Sequence, residues 1–161
     1  MLLNLLVGLV AYLSAVNQAV APAKPDFSGN WTVVSGLEPL GWGPERLTIT
    51  HSGSSVSIQV TKGNAVSFDV KTYRLDGTES RVETRDQAGV ATVKTSRAEW
   101  IADALAITTT TSSGTARWQD FEAYSFDGDR RLVVMRIWSP KQRGGMGTSR
   151  VIYQRDGGKT P

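Results

Sequence analysis

Residues 45–60 read ERLTITHSGSSVSIQV, and in this stretch Leu47, Ile49, Val56, Ile58 and Val60 alternate with Arg46, Thr48, Thr50, Ser57 and Gln59. Successive side chains of a strand point to opposite faces, so this period of two describes two strands with one apolar and one wet face. Ser52-Gly53 supplies turn chemistry for a tight hairpin. With these two residues at the tip, Ile49 is expected opposite Val56 and Leu47 opposite Ile58. A slip of one residue would send every side chain of the second strand to the wrong face, so register is the quantity to follow along the chain.

The same alternation continues to Tyr153. A three-residue Lys62-Gly63-Asn64 loop sets Val60 against Val66, Ile58 against Phe68 and Val56 against Val70. A Leu75-Asp76-Gly77 loop sets Val70 against Val82, and Gln87-Ala88-Gly89 then pairs Val82 with Lys94 and Thr84 with Thr92. Ala102-Asp103 as a tight turn places Trp100 opposite Leu105 and Ala98 opposite Ile107. A loop around Gly128 pairs the even-numbered residues from Trp118 to Tyr124 with those from Leu132 to Trp138. Such a run of hairpins predicts an all-β fold, an antiparallel up-and-down meander barrel of eight to ten strands, because closure removes the unpaired edges of the sheet. The opposite face carries Ser55, Thr61, Asp69, Lys71, Arg81, Glu83, Arg85, Arg97 and Glu99, which puts water outside the barrel. A membrane-spanning barrel needs the reverse, an apolar exterior band around a polar interior.

Residues 1–20 contain no charged side chain and are rich in Leu, Val and Ala, with Ala19, Ala21 and Ala23 at their end. This reads as a secretory signal peptide over residues 1–21, with cleavage between 19 and 23, although a basic residue near the start is missing and Pro22 disfavours the Ala21 boundary. A retained anchor is the alternative, but Asn4, Asn17 and Gln18 interrupt the stretch. Residues 22–161 then form one domain of ordinary size, expected to be secreted or periplasmic with no stable membrane insertion once the leader is removed. The chain has no cysteine, so its stability comes from core and ladder alone, and thiol chemistry is excluded. The net charge of +3 is spread over interleaved signs, as in Arg81-Val82-Glu83-Thr84-Arg85-Asp86. That pattern describes a solvated strand face and excludes a nucleic-acid stripe.

After the leader comes Phe27-Ser28-Gly29-Asn30-Trp31-Thr32-Val33. This segment resembles the opening of lipocalin and related calycin barrels, including secreted bacterial lipocalin-like domains. The resemblance implies that Gly29 lets the chain pass close to the barrel floor, that Trp31 plugs one end, and that an arginine near the last strand, Arg150 or Arg155, packs over it. It also implies a container for a small molecule. The sequence departs from true lipocalins in its short tail after Tyr153 and in lacking a clear second motif.

On the expected pairing the inner face of the second half mixes Thr92, Lys94, Ser96, Thr109, Thr111, Asp120, Glu122 and Arg136 with Trp100, Trp118, Tyr124 and Trp138. Charges inside a barrel need pairing or water, so this mixture predicts a polar cavity or an inward ion-pair network. Phe68, Lys94, Trp100, Trp118, Asp120, Glu122, Tyr124, Arg136 and Trp138 are the expected ligand-binding set, with Arg136 or Lys94 meeting the polar end of a small apolar or amphipathic ligand. No catalytic group is assigned. His51 is the only histidine, which leaves a metal centre short of ligands, and a hydrolase elbow of the Gly-x-Ser-x-Gly kind is absent. Gly144-Gly145-Met146-Gly147 is not followed by a helix, so it lacks the device that binds phosphate. No cofactor is expected. The competing reading is a barrel closed by its own side chains that contacts another protein as an inhibitor or accessory subunit. Asp120 and Glu122 also leave carboxylate-pair hydrolysis formally open.

Overall fold

A computed structural model describes residues 23–35, 45–62, 65–138 and 147–157 of the chain. The leader, Trp42 and the Gly144–Met146 segment therefore lie outside the described residues. The elements are ten strands: β1 (Gly29–Ser35), β2 (Arg46–Ser52), β3 (Ser55–Lys62), β4 (Ala65–Arg74), β5 (Ser80–Arg85), β6 (Ala91–Ile101), β7 (Ala104–Ser113), β8 (Ala116–Phe126), β9 (Leu132–Trp138) and β10 (Gly147–Arg155). They form one antiparallel sheet in the order β4-β3-β2-β1-β10-β9-β8-β7-β6-β5. The meander curls until its first strand pairs with its last, giving a nearly closed barrel of calycin-like architecture. The remaining seam lies between β4 and β5, which are the ends of the sheet, and β4 comes closest across it to β6.

The first hairpin shows why small errors in a turn can be harmless. Ser52 pairs with Ser55, so Gly53 and Ser54 form the tip, with Gly53 at a φ of 49° that favours glycine. The register moves by two, Ile49 facing Ile58 and Leu47 facing Val60, and the same residues still point inward.

The second hairpin is a correction. Lys62 pairs with Ala65, and a register shift between Gln59 and Thr61 brings Val56 opposite Tyr73, Ile58 opposite Lys71 and Gln59 opposite Val70. This is an odd displacement from the expected pairing, so faces exchange. Tyr73 is 6% exposed and joins the core, while Val70 is 50% exposed on the outer wall. Phe68 lies on β4, with its side chain outside the described residues. The expected pairing of Val70 with Val82 does not form, because β4 and β5 are not hydrogen-bonded to each other.

From β5 to β9 the register is the expected one: Val82 faces Lys94, Ala98 faces Ile107, Trp100 faces Leu105, and Glu122 faces Arg136. Beyond it, β10 sets Ser149 against Arg136, Val151 against Val134 and Tyr153 against Leu132. β1 then places Trp31 between Leu47 on β2 and Arg155 on β10.

One end of the barrel is plugged by the segment ahead of β1. Phe27 is fully buried, its carbonyl accepts a 2.9 Å hydrogen bond from Trp31 Nε1, and its ring lies 4.9 Å from that of Phe126 and 5.9 Å from that of Trp100. Trp31, 1% exposed, fills the floor beside Leu47 and Tyr153. The Arg155 guanidinium covers it at 4.9 Å from the ring centroid and donates to the Ser28 carbonyl. Gly29 has a φ of 141° that favours glycine, and a side chain there would come within 3.1 Å of Arg155 Nε and press the guanidinium aside. The arginine of the closing motif is thus Arg155. Arg150 sits opposite Met135 on the outer face, because Arg155, which faces Trp31 on β1, shares the inner parity of β10 with Tyr153 and Val151 and Arg150 does not.

Expected outcomes follow for denaturant unfolding of variants. Trp31→Ala should destabilise the barrel by about 3–5 kcal/mol, as for a large aromatic removed from a packed site. Arg155→Ala should cost about 1 kcal/mol through the lost cation–π contact, and Arg150→Ala should stay within about 0.5 kcal/mol of the parent. Equal losses for the two arginines would contradict the assignment.

Candidate binding site in the polar half of the lumen

Four strands, β7 to β10, line the lumen in successive layers. One step in from Phe126, Leu132 and Tyr153 at the plugged end, Leu105, Tyr124, Val134 and Val151 are all buried and, apart from the Tyr124 hydroxyl, apolar. One step toward the other end stand Ile107, Glu122, Arg136 and Ser149. Above them come Thr109, Asp120, Trp138 and Gly147, and then Thr111 and Trp118. Each layer is two residues further along every strand, so the gradient from apolar to polar is written directly into the alternation.

The first polar layer is an ion-paired cluster. Arg136 Nε lies 2.9 Å from Glu122 Oε1, and the Tyr124 hydroxyl donates to Glu122 Oε2 at 2.7 Å. The guanidine Nε–H is not aimed along the 2.9 Å line to Glu122, so the Arg136 contact is an attraction of charge more than an aligned hydrogen bond. Burial alone would lower the Arg136 pKa, but the adjacent Glu122 carboxylate outweighs it and the guanidinium is held charged. Burial raises the Tyr124 hydroxyl well above its ordinary value, and the Glu122 charge adds to this. Burial also pushes Tyr153 up to about 12, with Arg136 acting against the shift and Glu122 with it.

Higher in the lumen the polar groups are less completely matched. Ser96 and Thr109 hydroxyls bond each other at 2.9 Å, and Thr92 donates to Ser113 at 3.1 Å. Thr111 is buried. Trp118 Nε1 and Ser149 Oγ are buried and have no hydrogen-bond partner among the described residues. Trp138 lies directly over Gly147, where even a methyl group would overlap its indole. The glycine at the start of β10 therefore sets the position of that aromatic wall.

Six of the residues expected to meet a ligand, Trp118, Asp120, Glu122, Tyr124, Arg136 and Trp138, come together on the inner faces of β8 and β9. Trp100 belongs instead to the plugged end, stacked on Phe27 with Lys24 Nζ 5.8 Å over its ring. Lys94 is exposed, paired with Val82 on the strand that ends the sheet. His51 also sits at the plug, its Nδ1 3.5 Å from Asp26 Oδ1 and its backbone N–H bonded to Ser28 Oγ. Sequence reading missed Gly147, Ser149 and Tyr153. Their signal was the odd-numbered alternation through Val151 and Tyr153, blurred by Ile152 on the opposite face. An open depression of about 320 Å³ lined by Thr110, Arg117, Trp118 and Gln119 shares only Trp118 with these layers, since Thr110 pairs with Gln119 on the outward parity.

Comparison with protein-family models finds no family that matches the chain, and no curated protein matches it.

The two tyrosines give a test of the cluster. Their folded pKa values are raised above that of the unfolded chain, so their contribution to stability is complete below pH about 10 and, for Tyr153, is lost as pH rises through about 12, with Tyr124 shifted in the same direction. In a titration followed by tyrosinate absorbance, Tyr124 and Tyr153 should ionise only as the barrel unfolds at alkaline pH, and Tyr153→Phe should remove part of that late step. Ionisation of every tyrosine near pH 10 with the fold intact would contradict the cluster.

Proposed function

We propose that this protein is a non-catalytic, lipocalin-like container that binds a small amphipathic molecule, and that it works outside the cytoplasm after loss of its leader. The observation that carries this reading is the pair of buried, unpartnered polar groups, Trp118 Nε1 and Ser149 Oγ, set above an apolar floor. A buried polar group left without a partner costs about 1–3 kcal/mol, and a ligand's polar end would supply the missing bonds.

The arrangement also favours a ligand chemistry. Arg136 already has Glu122 beside it, so an anionic head group would have to compete with a carboxylate held at 2.9 Å. Trp118 Nε1 can only donate, and Ser149 Oγ can donate or accept. A neutral acceptor such as a carbonyl, ether or hydroxyl oxygen fits these two groups, while the apolar part of the molecule lies toward Val134 and Val151 with the indole of Trp138 as a wall. Entry is from the end opposite the Phe27 and Trp31 plug. The second reading, a module closed by its own side chains, draws support from the Glu122, Tyr124 and Arg136 cluster, which fills one layer of the lumen with groups that satisfy one another. Glu122 serves that cluster, and no hydrolytic role is assigned to it or to Asp120.

Intrinsic tryptophan fluorescence separates the readings. Titration with a panel of neutral and anionic apolar probes, a long-chain alcohol, its methyl ketone and the matching fatty acid, should give saturable quenching, stronger for the neutral members. Trp118→Phe keeps the ring and removes the N–H, and should weaken binding about tenfold, the equivalent of one hydrogen bond. No saturable response to any probe would favour the closed module. Turnover of an ester or glycoside panel that disappears in Glu122→Gln would replace both with a hydrolase.

A further inference from the structure

The strand that ends the sheet beyond β6 is unlike the others. β5 pairs with β6 along one edge only, and among the described residues no strand pairs with its other edge. Residues 81–85 are exposed on both faces, including Val82 at 58%. Across the seam β4 approaches β6, so β5 projects past the wall of the barrel. An unpaired edge of this kind is a template for another strand.

We propose that β5 is a self-complementary docking edge for a second copy of this chain. Two β5 strands placed antiparallel about a two-fold axis through Val82 bring residue 81 opposite residue 83 and residue 85 opposite residue 79. Arg81 then faces the partner's Glu83, and Arg85 faces the partner's Glu79, each pairing occurring twice by symmetry. Ser80 faces the partner's Thr84, and the two exposed Val82 side chains meet on the axis. Every charged residue of the strand meets its opposite.

Other registers lose this match. A two-fold axis at Glu83 sets Glu83 against the partner's Glu83 and Arg81 against the partner's Arg85, and an axis at Arg81 sets Glu83 against the partner's Glu79. An axis at Thr84 keeps only the pairing of Glu83 with the partner's Arg85. In the single chain Glu83 contacts Arg85 at 2.9 Å and Arg81 at 3.5 Å along its own strand. These are surface pairs with well-exposed arginines, so exchanging them for cross-strand pairs costs little. The added ladder and the covering of Val82 provide the net gain, and the edge that a meander leaves open at its seam is closed by the copy.

Sedimentation of the full chain up to about 1 mM should show a reversible dimer that weakens with salt, as expected of a small, charged interface. Arg81→Glu should raise the dissociation constant at least tenfold, and Arg81→Glu combined with Glu83→Arg, which restores opposite signs across the axis, should return it to within threefold of the parent. The chain has no cysteine. Val82→Cys should therefore give a disulfide-linked dimer under mild oxidation, and Thr84→Cys should not. A monomer at every concentration, a dimer indifferent to Arg81→Glu, failure of the double reversal to rescue, or preferential cross-linking through Thr84→Cys would each overturn the proposal.

Discussion

The pairing of β1 with both β2 and β10 is the constraint on which the rest of the barrel depends. The other local pairings by themselves give two pieces, β2 to β4 and β5 to β10, because β4 and β5 are not paired with each other and only β1 joins them. The contact between Trp31 and Arg155 spans almost the whole described chain, and it turns the two pieces into one barrel. The plug follows from the same contact. Phe27 can cap the floor because Trp31 holds its carbonyl, and Trp31 keeps its place because Arg155 lies over its ring and ties down Ser28. Non-local closure of this kind must overcome loop entropy before its contacts form, which is why a dense aromatic group is set at the junction.

Once the vessel exists, its interior divides by chemistry. The plugged half is aliphatic and aromatic, and the half beyond Tyr124 carries charges and hydroxyls. The boundary layer resolves its own charges, Glu122 against Arg136 with a tyrosine hydroxyl completing the carboxylate. The layers above it carry Thr109, Asp120, Trp138, Thr111 and Trp118, while Ser149 stands in the boundary layer itself. Among the described residues Trp118 Nε1 and Ser149 Oγ are buried without a partner, a cost that packing for stability alone does not explain.

Much of this was legible in the sequence because strand parity survives even-numbered errors. Placing the first turn one residue early displaced the pairing by two, and Leu47, Ile49, Val56 and Ile58 stayed inside. The tight Ala102-Asp103 turn and the even pairing of β8 with β9 placed Trp118, Asp120, Glu122, Tyr124, Arg136 and Trp138 on one inner face. The failures have a shared physical origin. The hairpin after β3 is one residue tighter than expected, with Lys62 opposite Ala65, and this displaced β4 by an odd number, exchanging Val70 for Tyr73. The irregularity between Gln59 and Thr61 shifts the pairing by a further two and keeps that parity. Val82 alternates like a core residue, yet it lies beside a seam, and alternation reports which residues share a face without reporting whether anything covers that face. Arg150 and Arg155 stood equally near the end of the chain. Only the register of β10 against β9 and β1 separates the outward one from the one above Trp31.

Hydrogen exchange at the backbone amides of β1 tests the account most directly. If this strand locks the two ends of the meander together, the amides of Trp31 to Val33 and those of Val151 to Tyr153 should exchange through one shared opening, with the same free energy as unfolding of the whole barrel. Exchange of β1 at a far lower free energy, while β9 and β10 stay protected, would show that the strand only rests against a sheet that stands without it.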